Sequence, residues 1–146
     1  MGLARNARSV ERLCRNGVEP VPGDLARAET YRAAVASADA VVHTAFEYSA
    51  DGEENLALDS AATRELLRAR RLIYTSNGYL PGIDTERVSE TAGRSGRLQR
   101  LETERRVLAA KEPASNAVIR LGMVYGGHGG GTICALFANA QRSGRL

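Results

Sequence analysis

Short apolar runs alternate with longer amphipathic segments along the chain, and this alternation predicts its elements. Runs of strand length occupy the segments 18–22, 38–46, 72–76 and 117–125. Two of them, 38–46 and 72–76, are compact and flanked by polar residues, as is typical of strands buried on both faces. Apolar residues recur at helical spacing in the segments 7–16, 25–37, 55–69, 97–111 and 132–144. Strands that alternate with helices in this way predict an α/β fold with a doubly wound parallel sheet.

Two further segments lack this periodicity. The stretch 77–97 is rich in Gly, Pro, Ser, Thr and Asp and predicts a long irregular loop. The sequence GGHGGG at 126–131 predicts a flexible turn. No Lys-Ser/Thr pair follows it, so it is a weak signal for a phosphate-binding loop.

The size and composition of the chain are those of one folded domain. Its 146 residues are 43% hydrophobic and 25% charged, close to the averages of globular proteins. No apolar run approaches the roughly 20 residues that span a bilayer, and the first residues contain no apolar stretch of the signal-peptide kind. We therefore expect a cytoplasmic protein without a membrane partner.

The charge pattern and the cysteines exclude other classes. The net charge is +3, and every basic residue except Lys111 is arginine, spread among acids on the helical segments. Aromatic residues make up only 5%, so a nucleic-acid partner is not expected. Cys14 and Cys134 are too few and too far apart for a metal site or a disulfide framework, and we expect both to be small, partly buried hydrophobes.

Four motifs occur in a characteristic order: GDL from Gly23, DAVVHTA from Asp39, RLIYTSN from Arg71 and VIRLGMVYG from Val118. This succession resembles the extended short-chain dehydrogenase/reductases, the NAD-dependent epimerase/dehydratase family, and implies a Rossmann-type fold. The resemblance runs from about the second strand of that fold to the helix after its sixth. It implies a partial NAD(P)-binding domain over 1–146, without the first β-α unit, its glycine-rich loop and the C-terminal substrate region. The first strand belongs between the second and the fourth, so we expect a gap in the middle of the sheet.

The resemblance implies NAD or NADP as cofactor and places its contacts at strand ends. Arg5, with Arg8 beside it, falls where a guanidinium would bind a 2′-phosphate, unless it is only a surface arginine. Asp24 and Leu25 fall at the adenine, although Asp24 can equally cap a helix. The further cofactor positions that the resemblance implies are His43, Thr44, Ala45, Asp59, Thr75 and Arg100.

Three of these positions carry qualifications. His43 is expected to have a buried structural role rather than to act as a general base. Asp59 stands where relatives usually have an asparagine, and Arg100 stands at the position of the family's catalytic lysine.

The catalytic residues depart from the family pattern. The family uses a serine or threonine, a tyrosine and a lysine four residues after the tyrosine for general acid–base catalysis beside hydride transfer. Here the serine position becomes Asn77, with Ser76 beside it, and the tyrosine position becomes Gly96. No tyrosine of the chain is followed by lysine four residues later. Tyr79 is the candidate for a displaced acid, and His128 is the second candidate.

The resemblance implies an oxidoreductase domain that acts on a sugar-nucleotide or a small carbonyl or hydroxyl substrate. Two alternatives remain open: a non-catalytic module that senses the dinucleotide, and an interaction fragment of the same fold. Relatives dimerise through the region that corresponds to 97–111, so a homodimer is also expected.

Overall fold

The structure is a computed structural model, and it describes residues 1–47, 51–77, 98–110, 116–122 and 131–144. The strands in this part of the chain are β1 (Gly2–Ala4), β2 (Pro20–Pro22), β3 (Val41–His43), β4 (Leu72–Asn77) and β5 (Ala117–Leu121). The α-helices are α1 (Ala7–Arg15), α2 (Arg32–Ser37), α3 (Gly52–Leu66), α4 (Leu98–Ala109) and α5 (Gly131–Ser143). One 3-10 turn, Ala28–Thr30, precedes α2.

The strands form two parallel sheets. β1 pairs with β2, and β3, β4 and β5 pair in that order. The prediction of a parallel α/β fold is therefore confirmed. In the described strands the ladder is interrupted between β1 and β3, where the sequence predicts a gap.

The core lies against β4, which alternates buried and half-buried residues along its whole length. Leu72 and Tyr74 of β4 are fully buried, together with Val107 of α4. The same cluster extends to the end of α3, with Leu66 and the following Ala69, and to the start of α2, with Tyr31 and Val35. Period-two alternation on a strand covered by two helices produces this arrangement.

Two helices begin at polar residues that satisfy their first peptide groups. The side chain of Asn6 accepts a hydrogen bond from the Ser9 amide at 3.0 Å, and the Ser9 hydroxyl accepts from the Asn6 amide, forming a capping box at α1. Asp51 accepts from the amides of Glu53 and Glu54 at 2.9 and 3.0 Å at the start of α3. The first residues of both helices are thus fixed by hydrogen bonds to nearby side chains.

The segment 25–37 differs from the single helix that its pattern predicts, because its first half is a turn. The Thr30 hydroxyl donates to the Arg27 carbonyl at 2.6 Å and accepts from the Asp24 amide at 3.1 Å. Side chains that bond to nearby backbone in this way compete with helical hydrogen bonds. The helix therefore begins only at Arg32.

Two burial predictions are wrong. Val42, in a strand predicted to be buried on both faces, is 58% exposed, because β3 has no neighbouring strand on the side of β1 in the described sheets. Cys14 and Cys134 are both exposed rather than partly buried. α1 has no buried residue, and the described side chains of α5 are exposed apart from the half-buried Ala140, so neither helix encloses its cysteine.

Within the described ranges, no helix combines the length and hydropathy that crossing a membrane requires.

Candidate functional site

A cleft of about 990 Å³ opens at the carboxyl ends of β1, β2 and β3. Five of the predicted cofactor residues line it together: Arg5, Asp24, Leu25, Thr44 and Ala45. They come from the ends of three different strands, and the fold alone brings them to one place. Open α/β sheets bind ligands at this edge, since the loops after parallel strands meet there.

The cleft is charged on one side. Arginines 5, 8, 12 and 15 line it, whereas its acids are Glu11, Asp24 and Glu47. Arg5 pairs with Glu47 at 2.8 Å, and Arg15 pairs with Glu11 within α1. The described structure shows no ion pair for Arg8 or Arg12. These two guanidiniums leave a cationic wall that suits a phosphate-bearing ligand.

The turn after β2 is fixed by packing and by Asp24. A Cβ atom at Gly23 would lie 2.6 Å from the Thr30 hydroxyl and 2.9 Å from a methyl group of Leu3, so only glycine fits there without a shift. The Asp24 carboxylate accepts from the Ala26 amide at 2.9 Å. Asp24 therefore caps this turn rather than a helix, and it faces the cleft at the same time.

A second group of predicted residues lies at the end of β4. Arg100 of α4 is 8% exposed, donates to the Thr75 carbonyl at 3.3 Å and stacks over the Phe46 ring at 4.6 Å from its centre. Among the residues that the structure describes, the buried Nε of Arg100 and the buried hydroxyl of Ser76 have no hydrogen-bond partner. Since Phe46 also lines the cleft, this group adjoins the predicted cofactor contacts.

A buried polar network lies behind the cleft. The Tyr74 hydroxyl donates to Asp59 Oδ2 at 2.5 Å, and the Nε2 atom of His43 lies 3.1 Å from Asp59 Oδ1. All three side chains are buried. Burial, followed by the hydrogen bond and the charge of Asp59, raises the pKa of Tyr74. The phenol is thus held protonated as the donor that Asp59 needs.

The network places Asp59 away from the cleft, although the sequence analysis assigned it to the cofactor contacts together with Thr44 and Ala45. Both carboxylate oxygens of Asp59 are occupied by His43 and Tyr74, and Asp59 does not line the cleft. His43 lies at the end of β3 with its ring turned towards Asp59. Tyr74 is the member that sequence reasoning missed, because its register with His43 is set by the pairing of β3 with β4 and is not visible in the sequence.

Several predicted positions fall outside the described residues. These are Tyr79, Gly96, His128 and most of the glycine-rich segment 126–131. Asn77 ends β4 and is half-buried. Among the residues that the structure does describe, no cluster of three or more His, Cys, Asp or Glu side chains is arranged to hold a metal ion.

Comparison with known proteins shows similarity in structure rather than in sequence. No protein-family model matches the chain, and no curated protein matches it. A proposed epimerase from Burkholderia cenocepacia J2315 superimposes with a TM-score of 0.73 at 22% identity, over 97% of this chain and 52% of that one. The chain has a Rossmann-type fold.

Two further solved structures have this Rossmann-type fold. UDP-glucose 4-epimerase from Thermus thermophilus, in complex with NAD, matches 93% of the chain with a TM-score of 0.63 and 22% identity. A short-chain dehydrogenase/reductase superfamily protein from Agrobacterium tumefaciens with bound NAD matches 80% with a TM-score of 0.59 and 20% identity. The chain spans about half the length of these proteins, between 46% and 58%.

Proposed function

We propose that the chain binds NAD or NADP in the cleft at the ends of β1, β2 and β3, as a domain of the epimerase and dehydrogenase type. One observation carries the proposal: five residues chosen from sequence as cofactor contacts line a single cleft of about 990 Å³. Its position is the one at which Rossmann-type sheets bind dinucleotides. The NAD-bound state of two structural neighbours supports the same assignment.

The residues of the cleft fit the parts of a dinucleotide. Arg5 and Arg8 follow β1, where a guanidinium binds the adenosine ribose or its 2′-phosphate. Asp24 would accept from the adenine amino group while Leu25 packs on the ring. Thr44 and Ala45 are small and allow the ligand backbone to approach the end of β3. When bound, the cofactor would supply or accept hydride.

The pyrophosphate would lie near the arginines that line the cleft. In the described part of the chain, no glycine-rich turn between a strand and a helix lies at the cleft. Backbone amides of such a turn are the usual pyrophosphate ligands. Arg8 and Arg12 line the cleft and are the cations that would contact the pyrophosphate from the side of α1.

The described residues favour binding over proton transfer. Tyr31 and Tyr74 are the tyrosines in this part of the chain, and both are buried, so neither presents its hydroxyl to a substrate. Arg100, at the lysine position, stacks on Phe46 and bonds to the Thr75 carbonyl. These contacts support the second candidate function, a module that binds the dinucleotide without turnover.

Catalysis on a sugar-nucleotide or a small carbonyl or hydroxyl substrate would have to use the end of β4. The unpartnered Ser76 hydroxyl and Arg100 Nε are polar atoms that an oxygen of the substrate would satisfy. Tyr79 is the proposed acid. If the chain does turn over substrate, Ser76→Ala should lower kcat while cofactor binding is retained.

A thermal-shift titration with NAD and NADP up to millimolar concentrations tests the proposal. Binding to the folded state raises the melting temperature by mass action, so a rise that grows with the logarithm of the ligand concentration above Kd is expected for at least one dinucleotide. Arg8→Ala should weaken the rise. Arg70→Ala is the matched control, because Arg70 is an exposed arginine that does not line the cleft. A cooperatively folding chain that shows no shift with either dinucleotide would refute the proposal.

A further inference from the structure

Arg100 is a buried cation with no counterion in the described part of the chain. The residue is 8% exposed, and none of the ion pairs among the described residues includes it. Its contacts are with uncharged groups: the Thr75 carbonyl at 3.3 Å and the rings of Phe46 and Tyr74, whose centres are 4.6 and 5.8 Å away. A buried charge is costly unless an opposite charge accompanies it. An anion beside Arg100 would remove this cost.

The buried acids of the described residues are already bonded to other groups. These acids are Asp59 and Glu104. Asp59 uses both of its carboxylate oxygens in the buried polar network behind the cleft. Glu104 accepts from the guanidinium of Arg120 at 2.6 and 3.0 Å. The anion that would neutralise Arg100 is therefore not one of the described side chains.

Ser76 adds a second unpartnered donor at the same place. It is 3% exposed, and its hydroxyl, like the Nε of Arg100, has no hydrogen-bond partner among the described residues. Alternate residues of a strand share a face, so the side chains of Tyr74 and Ser76 lie on the same buried face of β4. Arg100 lies over the Tyr74 ring and bonds to the Thr75 carbonyl between these two residues. The two unpartnered donors thus meet at the carboxyl end of β4, where polar groups without partners are the exception that a ligand can explain.

The Phe46 ring connects these donors to the cleft. It stacks on the guanidinium of Arg100, and it also lines the cleft at the ends of β1, β2 and β3. Phe46 is only half-buried, so a ligand would enter from the cleft as this ring turns aside. Ligands of open α/β sheets bind at the carboxyl ends of the strands. A small molecule held by Arg100 and Ser76 would therefore lie next to the occupant of the cleft.

We propose that Arg100 and Ser76 bind the carboxylate of a small organic acid. The Nε of Arg100 donates to one carboxylate oxygen, and the Ser76 hydroxyl donates to the other. One negative charge then neutralises one buried guanidinium. A neutral carbonyl or hydroxyl group would leave the cation unpaired, and a phosphate would bring up to two charges to a single guanidinium.

A small carboxylic acid is also the substrate class that this site favours, and that part of the inference rests on the proposed function. Binding of the acid itself needs no dinucleotide. The two proposals can therefore fail separately. If the acid does not bind, dinucleotide binding in the cleft is unaffected, and if the dinucleotide does not bind, the site at Arg100 and Ser76 can still be titrated.

The test is an NMR titration of the isotope-labelled chain with sodium acetate at constant ionic strength and without dinucleotide. We expect a saturable shift of the Arg100 Nε–H signal, with a Kd in the millimolar range because the ligand is so small. Acetamide has the same shape without the charge and should cause almost no shift, and inorganic phosphate should bind more weakly than acetate. No saturable shift with acetate, an equal shift with acetamide, or tighter binding of phosphate would overturn the proposal.

One variant separates a binding role of Ser76 from a structural one. Ser76→Ala should weaken acetate binding about tenfold, because it removes a hydrogen bond to a charged group. Its melting temperature without acetate should stay equal or rise, since the hydroxyl that is removed is buried and unpartnered. Ser37→Ala is the matched control, because Ser37 is an exposed serine of α2 whose hydroxyl donates to the Ala34 carbonyl, and acetate binding should not change. Unchanged acetate affinity in Ser76→Ala would overturn the assignment of this site.

Discussion

Arg5 and Glu47 form an ion pair of 2.8 Å that connects the residue after β1 to the segment after β3. The side chains are 60% and 42% exposed, so the pair contributes less than about 1 kcal/mol to stability. Its importance is electrostatic and local. Glu47 neutralises Arg5, one of the arginines that line the cleft, and Arg5 is the residue that we propose to meet a 2′-phosphate.

We expect Arg5→Ala to weaken NADP binding about tenfold and NAD binding much less, since a charge-assisted hydrogen bond to a phosphate is worth more than one to a hydroxyl. Titration calorimetry with both dinucleotides measures the difference. Glu47→Gln is the matched variant, because it frees Arg5 and should leave NADP affinity equal or higher. Equal losses for NAD and NADP in Arg5→Ala would contradict a role at the 2′-phosphate.

Tyr74→Phe should lower the free energy of unfolding by about 1–3 kcal/mol, because Asp59 then loses a buried donor at 2.5 Å. Urea denaturation measures the change. Tyr31→Phe is the control: its hydroxyl donates to the neutral Leu25 carbonyl at 3.2 Å, and its loss should cost only about 1 kcal/mol. If the two variants lower the free energy of unfolding equally, the hydrogen bond to the Asp59 carboxylate is no stronger than one to a neutral carbonyl.

The raised pKa of Tyr74 predicts a loss of stability at alkaline pH. The folded protein holds this proton more tightly than the unfolded chain, in which the pKa is about the ordinary 10.0. The stabilising effect is therefore complete below pH 10.0 and is lost as the pH rises above it, by up to about 1.4 kcal/mol per pH unit.

One variant shows whether the loss of stability at alkaline pH comes from Tyr74. Melting curves between neutral pH and about pH 11 should fall less steeply for Tyr74→Phe than for the wild type. Part of the slope should remain in the variant, because burial also raises the pKa of Tyr31. An unchanged slope would show that the Tyr74 proton is not linked to folding.

The elements that the sequence predicts well are those whose environment is set by the chain nearby. The compact run around Tyr74 predicts β4, and the pattern over 7–16 predicts α1. The start of α3 is wrong by three residues: the pattern predicts a helix over 55–69, whereas α3 begins at Gly52, because the Asp51 side chain accepts from the amides of its first turn. The strand-end residues Asp24 and Thr44 could be assigned to one cleft because parallel strands bring their carboxyl ends together.

What could not be predicted depends on partners distant in sequence. Tyr74 and Asp59 are 15 residues apart on different elements. Neither the strand pattern around Tyr74 nor the helix pattern around Asp59 predicts the hydrogen bond between them. The exposure of Val42 likewise follows from the interrupted sheet beside β3, since an apolar run looks the same with or without a neighbouring strand. Cys14 is exposed because α1 covers only one small sheet.

The pair of Glu104 and Arg120 should be energetically asymmetric. The Glu104 side chain is almost fully buried, whereas Arg120 reaches solvent, and the two are bonded at 2.6 and 3.0 Å. Arg120→Leu should cost about 2–3 kcal/mol because it leaves a buried carboxylate unpaired, and Glu104→Leu should cost less. Urea denaturation of both variants and of the double variant measures this. If Glu104→Leu lowered the free energy of unfolding more than Arg120→Leu does, the buried carboxylate would not be the costly member of the pair.

The most direct test of dinucleotide binding is an NMR titration of the isotope-labelled chain with NADP and NAD. We predict saturable shifts of the backbone amides of Asp24, Leu25, Thr44 and Ala45, which lie at the ends of β2 and β3 around one cleft. Amides on α5 should not move. Saturable shifts confined to other surfaces, or no shifts from a folded chain at millimolar dinucleotide, would contradict the proposal that this cleft binds the cofactor.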